Sequence, residues 1–266
     1  MKNILLLVHD DVGQESRLQA ALDLTRALSG HLICLDVVEP PVLVGTDFAV
    51  SGLEATFIEE ARDREGRHLA AINTRLESEN VSWNCQQMIG DIALSLEDRT
   101  LIADVIVLNT YFDVAPSPDM QTIVSDVVMK SGTLVLAVPA SDRAFEPGGH
   151  ALIGWNGSAE ISRTVRAATP LLQLAQRVTL IEIGRNEGTP IDEAAAYLSR
   201  HDINSRIEYR SATGAIATEL MTVVKDIDPA YCVLGAYGHS RMRQALFGGV
   251  TRHMLFESPV PLLLGR

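Results

Sequence analysis

The feature that most restricts the fold is an internal repeat, because the chain passes twice through the same alternation of strands and helices. The apolar run Ile4 to Val8 corresponds to Ala151 to Trp155, and Asp104 to Leu108 corresponds to Ala230 to Leu234. Strands that alternate with helices at this spacing indicate a parallel sheet covered on both faces. A repeated unit of about 140 residues is too long for a solenoid and has the size of a domain.

Each half contains five predicted strands. In the first half they are residues 2–8, 31–38, 81–89, 104–108 and 133–138, and in the second half residues 151–155, 177–183, 205–210, 230–234 and 260–264. A long charged helix is predicted over residues 52–79, and residues 141–150 have the composition of a linker. We therefore predict two α/β domains, residues 1–141 and residues 149–266.

Composition excludes several classes of protein. The formal net charge of −12 argues against nucleic-acid binding, which depends on Lys and Arg, and against adhesion to an anionic membrane. No apolar run approaches the roughly 18 residues of a membrane-spanning helix, and the N-terminal one is too short for a signal peptide. We therefore expect a cytoplasmic protein. Cys34, Cys85 and Cys232 form no C-x-x-C motif, so we expect buried apolar residues and neither a disulfide nor a zinc site.

Spaced glycines follow the fourth strand of the second half and indicate a binding site. Gly235 and Gly238 come directly after the strand, and Gly248-Gly249 precede a short predicted helix, residues 250–256. Glycines at the end of a strand allow a sharp turn and a close approach of the backbone to a ligand. The start of a helix offers unpaired N–H groups and a positive dipole end, which suit phosphate. These residues indicate nucleotide binding.

The charge of this segment also favours an anion. No Asp or Glu occurs from residue 229 to residue 256, although the chain as a whole is acidic. The segment contains Arg241, Arg243, Arg252, His239 and His253. Each of the three arginines and His253, taken singly, is more simply a solvated surface residue. His239 directly follows Gly238, and it is the one that we expect near the ligand.

The glycine spacing resembles that of the universal stress protein family. The family's nucleotide-binding members have Gly, two residues, Gly, nine residues, and then Gly followed by Ser or Thr. Gly235, Gly238 and Gly248 occupy these positions, whereas Gly249 replaces the Ser or Thr. The turn at residues 155–158, Trp-Asn-Gly-Ser, is similar to the family's Val-Asp-Gly-Ser, with Asn in place of Asp. The likeness in strand order covers both halves, but the glycine motif occurs only in the second.

The resemblance implies a five-stranded parallel sheet of order 3-2-1-4-5 in each half, with the halves packed as a pseudo-dimer. Ligands of such sheets lie beyond the carboxyl ends of strands one and four, where the strand order reverses. The implied ligand is ATP or a related adenine nucleotide, with or without Mg²⁺.

The resemblance also suggests roles for single residues of the second half. Gly235 and Gly238 would shape the loop under the ribose and phosphates. The N–H groups of Gly248, Gly249 and Val250, with the hydroxyl of Thr251, would hold phosphate oxygens. Asn156 has two possible roles. It contacts the adenine or the ribose, or it only forms the turn, since the sequence Asn-Gly-Ser strongly favours a turn.

The first half provides an internal control for this site. Its loop after the fourth strand, residues 109–113, contains no glycine, and acidic residues follow it between 119 and 126. We therefore expect one nucleotide site for each chain, with the first half acting as a structural partner. A homodimer is compatible with the same resemblance.

Catalytic motifs are lacking in the sequence. There is no G-x-x-x-x-G-K-[ST], H-E-x-x-H or G-x-S-x-G motif, and no lysine lies between Lys130 and Lys225. We expect at most slow ATP hydrolysis. Two alternatives remain open, namely an interaction module of the same fold without nucleotide and an adenylating enzyme of a related fold.

Overall fold

The computed structural model describes residues 1–39, 66–110, 119–185, 188–236 and 249–266. The first half contains β1 (Asn3–Val8), α1 (Gln14–Leu28), β2 (His31–Val38), α2 (residues 66–77), β3 (Ser82–Ile89), α3 (Ile92–Arg99), β4 (Val105–Asn109), α4 (Met120–Ser131) and β5 (Leu134–Val138). A short 3₁₀ helix, Thr100–Ile102, follows α3. The part of the predicted long helix before residue 66 lies outside the described residues.

The second half repeats this succession of elements. It contains β6 (His150–Trp155), α5 (Ala159–Leu172), β7 (Arg177–Ile183), α6 (Ile191–Ser199), β8 (Ser205–Arg210), α7 (Ile216–Ile227), β9 (Tyr231–Gly235), α8 (Gly249–Glu257) and β10 (Leu262–Gly265). The predicted strands therefore agree with the observed ones to within two residues at each end.

All ten strands belong to one sheet, in the order β3-β2-β1-β4-β5-β10-β9-β6-β7-β8. Neighbouring strands within each half are parallel. Each half therefore has the predicted order 3-2-1-4-5, and the predicted α/β class is confirmed. The division into residues 1–141 and residues 149–266 stays a proposal, because the sheet continues without a break across it.

The strands are buried on both faces, as parallel strands covered by helices must be. In β1, Ile4 and Leu6 face one hydrophobic core, and Leu5 and Leu7 face the other. Helices α1, α2, α5 and α6 cover the first face, and α3, α4, α7 and α8 cover the second. Among the described helices, none combines the length and apolar character needed to cross a bilayer.

The two halves meet through strands β5 and β10, which pair in antiparallel fashion. Leu263 lies opposite Leu136, and Leu262 and Leu264 pair with Ala137 and Val135. The side chains of all these residues are fully buried. Because the pairing is antiparallel, the carboxyl ends of the strands of one half lie at the opposite edge of the sheet from those of the other half. The sequence predicted a pseudo-dimer but not this shared sheet.

The linker between the halves is also packed against both of them. The backbone N–H of Phe145 donates a hydrogen bond to Asp23 Oδ2 on α1, at 3.0 Å. The centroid of the Phe145 ring lies 5.5 Å from the centroid of the Tyr231 ring on β9. Both rings are buried, so the linker extends the first core from one half into the other.

We predict that substitutions at the β5–β10 junction destabilise the whole chain. Leu263→Ala removes a fully buried side chain, and such changes typically lower the free energy of unfolding by about 2–5 kcal/mol. Leu101→Ala is the matched control, because the residue is 91% exposed and its truncation leaves no cavity. Urea denaturation of both variants measures the difference. Equal stability of the two variants would contradict a junction that holds the halves together.

Candidate functional site

The second half has its strand-order reversal between β6 and β9. Strand β6 pairs with β7 on one side and with β9 on the other, all parallel. Ligands of open parallel sheets lie in the crevice beyond the carboxyl ends of such strands. Asn156 directly follows β6, and Gly235 is the last residue of β9. These two predicted site residues therefore lie at the ends of neighbouring strands.

Gly235 allows β9 to approach the first turn of α5 closely. A Cβ atom at this position would lie 2.5 Å from the backbone nitrogen of Ile161 and 2.9 Å from its Cα. Real Cβ atoms do not approach backbone atoms this closely, so a side chain would force the helix and the strand apart. The observed role of Gly235 is thus to set the width of the crevice between β9 and α5.

The Asn156 turn is built from hydrogen bonds within the segment. Asn156 Oδ1 accepts a hydrogen bond from the backbone N–H of Ser158 at 3.2 Å, and Gly157 has a φ of +68°. Ser158 is the N-cap of α5, and its Oγ accepts from the N–H of Ile161 at 3.4 Å. The carbonyl oxygen of the Asn156 side chain is therefore engaged in the turn, while the residue as a whole remains exposed.

Residues 188–189 contact this turn and hold it in place. The sequence did not reveal this contact. Trp155 Nε1 donates to the backbone oxygen of Thr189, and the Thr189 N–H donates to the oxygen of Gly157, both at 2.9 Å. A Cβ atom on Gly188 would lie 2.3 Å from the oxygen of Gly157. Pairs of an aromatic N–H and a backbone carbonyl have no local sequence pattern, which is why Trp155 and Gly188 were missed.

Helix α8 supplies the other side of the candidate site. It leads from β9 back to the parallel strand β10, so its first residues lie at the carboxyl edge of the strands. Among the described residues, no atom lies within 4 Å of a Cβ position on Gly249, Val250 is half-buried, and Thr251 is 5% exposed. The first turn of α8 contains no acidic residue. Gly238, His239 and Gly248 lie outside the described residues.

An open cavity of about 600 Å³ lies next to this crevice, beyond the ends of β7 and β8. It is lined by Glu182, Gly184, Arg185, Tyr209, Arg210, Ser211 and Ala212. Glu182 pairs with Trp155 in the sheet, so the cavity adjoins the Asn156 turn.

Metal binding has little support from the described side chains. Within the described ranges no three His, Cys, Asp or Glu residues form a group that could hold a metal ion. Glu160, in the first turn of α5, is 4% exposed and precedes Ile161, the residue that Gly235 contacts. It is the one carboxylate of that turn, and it was not among the predicted site residues.

The first half has a different residue at the position of Gly235. Val105 pairs with Ile4 as Tyr231 pairs with Ala151, so Asn109 corresponds to Gly235. The Asn109 side chain is buried, and its Nδ2 donates to Ser16 Oγ and to the backbone oxygen of Val138. At the position where Gly235 of the second half lies against the first turn of α5, the first half thus has a buried amide that is hydrogen-bonded to α1 and β5.

A buried arginine completes the closure of the first half. Arg17 is completely buried in α1, and its guanidinium donates hydrogen bonds to the backbone oxygens of Leu7 and His9 and to the side chains of Asp11, Gln14 and Asn109. A guanidinium has five N–H donors, and this set of acceptors can satisfy all of them. A positive charge held by Asp11 therefore occupies the crevice of the first half.

The charges of this buried pair are strongly coupled. Burial by itself would raise the pKa of Asp11, but hydrogen bonds from His9 and Arg17 and the charge of Arg17 lower it to about 2. Burial lowers the pKa of Arg17, and the charge and hydrogen bonds of Asp11 oppose that shift. Because the pKa of Asp11 is depressed in the folded state, its contribution to stability is present above about pH 4 and is lost as the pH falls toward 2.

We predict that Arg17→Met destabilises the protein at pH 7. Removing one partner of a buried ion pair leaves an uncompensated charge and typically costs about 3–5 kcal/mol of unfolding free energy. Arg143→Met is the control, because Arg143 is exposed. Denaturant titrations at pH 7 and near pH 3 measure the loss of unfolding free energy caused by Arg17→Met. This loss should be smaller near pH 3, because Asp11 of the variant is then protonated and no longer an unpaired buried charge. A penalty that is the same at both pH values would show that the pair is not its source.

Comparisons with known proteins extend these observations. No protein-family model matches the chain. No curated protein matches its sequence either.

Solved structures do resemble the chain. A universal stress protein structure from Archaeoglobus fulgidus DSM 4304 is similar over 99% of this chain and 96% of its own, with a TM-score of 0.78 and 13% identity. A putative universal stress protein from Pseudomonas aeruginosa UCBPP-PA14 matches over 99% and 92%, with a TM-score of 0.61 and 15% identity. A protein of unknown function from P. aeruginosa PAO1 matches over the same shares, with a TM-score of 0.62 and 14% identity. The chain has the fold of the tandem universal stress proteins.

Proposed function

We propose that the protein binds one adenine nucleotide, such as ATP, in the second half and acts as a nucleotide-dependent regulatory or protective protein in the stress response. The observation that supports this most is the contrast between the two crevices. The first contains the buried side chains of Asn109 and Arg17, whereas the second has a glycine, Gly235, at the position of Asn109, and no atom of the described residues lies within 4 Å of a Cβ position on Gly249. The stress-related role rests on the similarity of fold alone.

The phosphates belong, in this proposal, at the start of α8. The N–H groups of Gly249, Val250 and Thr251 belong to the first turn, where helical N–H groups have no partner inside the helix. No atom of the described part of the chain lies within 4 Å of the Cβ position of Gly249, which favours the approach of a phosphate, and the absence of acidic residues in this turn removes a source of repulsion. We propose that Gly238, His239 and Gly248 complete this end of the site, as the glycine spacing predicts.

The adenine and ribose belong toward the Asn156 turn and the neighbouring cavity. Asn156 is exposed at the end of β6, and its Oδ1 already accepts from Ser158, so its NH₂ group is the part available to a ligand. The cavity beyond β7 and β8 offers Tyr209, Arg185 and Arg210 around a space of about 600 Å³. If Mg²⁺ accompanies the phosphates, we propose Glu160 as its ligand, because it is the carboxylate of the first turn of α5 and precedes Ile161, against which Gly235 packs.

We predict that purified protein releases an adenine nucleotide when it is denatured, or binds ATP in calorimetry with one site for each chain. Identification of the released compound by mass spectrometry defines the ligand. Trp155 offers a second measurement, because a Trp83→Phe variant leaves it as the only tryptophan, directly before Asn156. Two equivalent sites for each chain would contradict a closed first half.

Gly249→Val is predicted to abolish this binding without unfolding the protein. No atom of the described residues lies within 4 Å of the new Cβ, and we expect the side chain to occupy the space in front of the α8 N–H groups. Gly66→Val is the matched control, since Gly66 also lies in a helix and likewise has no described atom within 4 Å of its Cβ position. Calorimetry with ATP measures affinity, and thermal unfolding checks the fold. Unchanged ATP affinity in a folded Gly249→Val protein would mean that the phosphates bind elsewhere.

Gly249→Ser is predicted to tighten the binding. It restores the hydroxyl that the family motif has at this position, and a hydrogen bond to a charged group contributes about 1.5–3 kcal/mol. The dissociation constant for ATP should therefore fall by about tenfold or more, since roughly 1.4 kcal/mol corresponds to a factor of ten. A dissociation constant that rises or stays the same would show that no phosphate oxygen lies near residue 249.

A nucleotide-free interaction module is the second candidate function. It is favoured by the two departures from the family motif, since Gly249 has no hydroxyl and Asn156 replaces an acid and uses its oxygen in the turn. The same experiments decide between the two functions. Native protein without nucleotide, and no thermal shift in millimolar ATP, would favour the interaction module.

A further inference from the structure

Two of the three cysteines are direct neighbours in the sheet, although they are 51 positions apart in the sequence. Cys34 on β2 and Cys85 on β3 are register partners in the parallel pairing of these strands. Both side chains lie on the face of the sheet that α1 and α2 cover. The interpretation of the cysteines as separate buried residues is therefore incomplete. Cys232, on β9, is buried in the other core.

The placement of the pair is compatible with a disulfide bond. Adjacent strands lie about 4.7–4.9 Å apart, and disulfides join Cα atoms that are roughly 4.4–6.8 Å apart. Cys34 is fully buried, whereas Cys85 is only half-buried, because β3 is the outer strand of the sheet. A small oxidant can therefore reach Cys85 first, and Cys34 lies beside it on the adjacent inner strand.

The two thiols also differ in their readiness to ionise. The hydrogen bond between them raises the pKa of Cys34, and burial adds to this shift. The same hydrogen bond from Cys34 lowers the pKa of Cys85, against the opposing effects of burial and of Asp36. Cys85 is thus the better thiolate, and the thiolate is the form that reacts with oxidants.

We propose that Cys34 and Cys85 form a reversible redox pair that hydroperoxides convert to a disulfide. The Cys85 thiolate attacks one oxygen of hydrogen peroxide, so that an S–O bond forms, the O–O bond breaks, and hydroxide leaves and takes up a proton as water. Cys34 then attacks the sulfenic sulfur of Cys85, so that the S–S bond forms, the S–O bond breaks, and a second water leaves. Two thiols are oxidised and one peroxide is reduced.

The bond would connect the outer strand to its neighbour and close a loop. Among the described strands, β3 pairs with β2 alone, and every residue of β3 is half-buried or exposed. A disulfide between residues 34 and 85 encloses the chain between them, including α2. Oxidation therefore restricts the unfolded chain and raises the temperature of unfolding.

The test uses the native full-length protein treated with hydrogen peroxide, followed by alkylation of free thiols and peptide mapping. The expected product is one disulfide between Cys34 and Cys85, with Cys232 alkylated, and dithiothreitol restores both thiols. Three alkylated cysteines after peroxide treatment, or Cys85 oxidised to sulfinic acid with Cys34 still free, would overturn the proposal.

Single variants separate the roles of the two thiols. In Cys34→Ser, Cys85 should accumulate as a sulfenic acid that reacts with dimedone, whereas Cys85→Ser should form neither a disulfide nor a dimedone adduct. Cys232→Ser is the control and should behave as the wild type does. Dimedone labelling of Cys34 in the Cys85→Ser variant, at the wild-type rate, would reverse the assigned order. The wild-type peptide map remains decisive if a variant fails to fold.

Discussion

Strands β5 and β10 lie side by side in opposite directions at the centre of the sheet, and the relation between the two halves depends on this contact. Each half alone would end in an apolar edge strand with unpaired backbone N–H and C=O groups. Such edges favour aggregation and are normally covered. Here each edge covers the other, and Leu263 and Leu136 become core residues. The antiparallel pairing also directs the two crevices to opposite edges of the sheet, so no single ligand can contact both.

The two crevices differ at one corresponding position, which is the end of the fourth strand of each half. Gly235 allows β9 and the first turn of α5 to approach closely, and it leaves no side chain in the crevice. The corresponding Asn109 is buried and accepts a hydrogen bond from Arg17, whose charge is balanced by Asp11. The first half thus contains an internal cation and anion in the crevice that corresponds to the proposed nucleotide site of the second half. The duplication has preserved the fold in both copies, whereas the side chains of the two crevices differ.

The two proposals concern separate regions of the molecule. The thiol pair lies on β2 and β3, and four strands separate β2 from β9, where the nucleotide is proposed to bind. The side chains of the two regions therefore do not touch, and oxidation and nucleotide binding can be measured independently. A protein with both properties would respond to two chemical signals, a nucleotide and a hydroperoxide, through different halves of one sheet.

The sequence by itself determined the α/β class and the duplication, because periodic apolar runs are local signals. The strand order came from the resemblance to a known family, and the glycine spacing predicts the nucleotide site, which stays a prediction. The bounds of β2, β7 and β8 were predicted without error. Only the tertiary structure decided the β5–β10 pairing, the closure of the first crevice by Arg17, the contact of Trp155 with Thr189 and the meeting of Cys34 with Cys85. Each of these joins residues that are distant in the chain, and an apolar strand or a single Arg or Cys does not specify its partner. Register and packing across the sheet determine such contacts, and both arise only when the whole chain has folded.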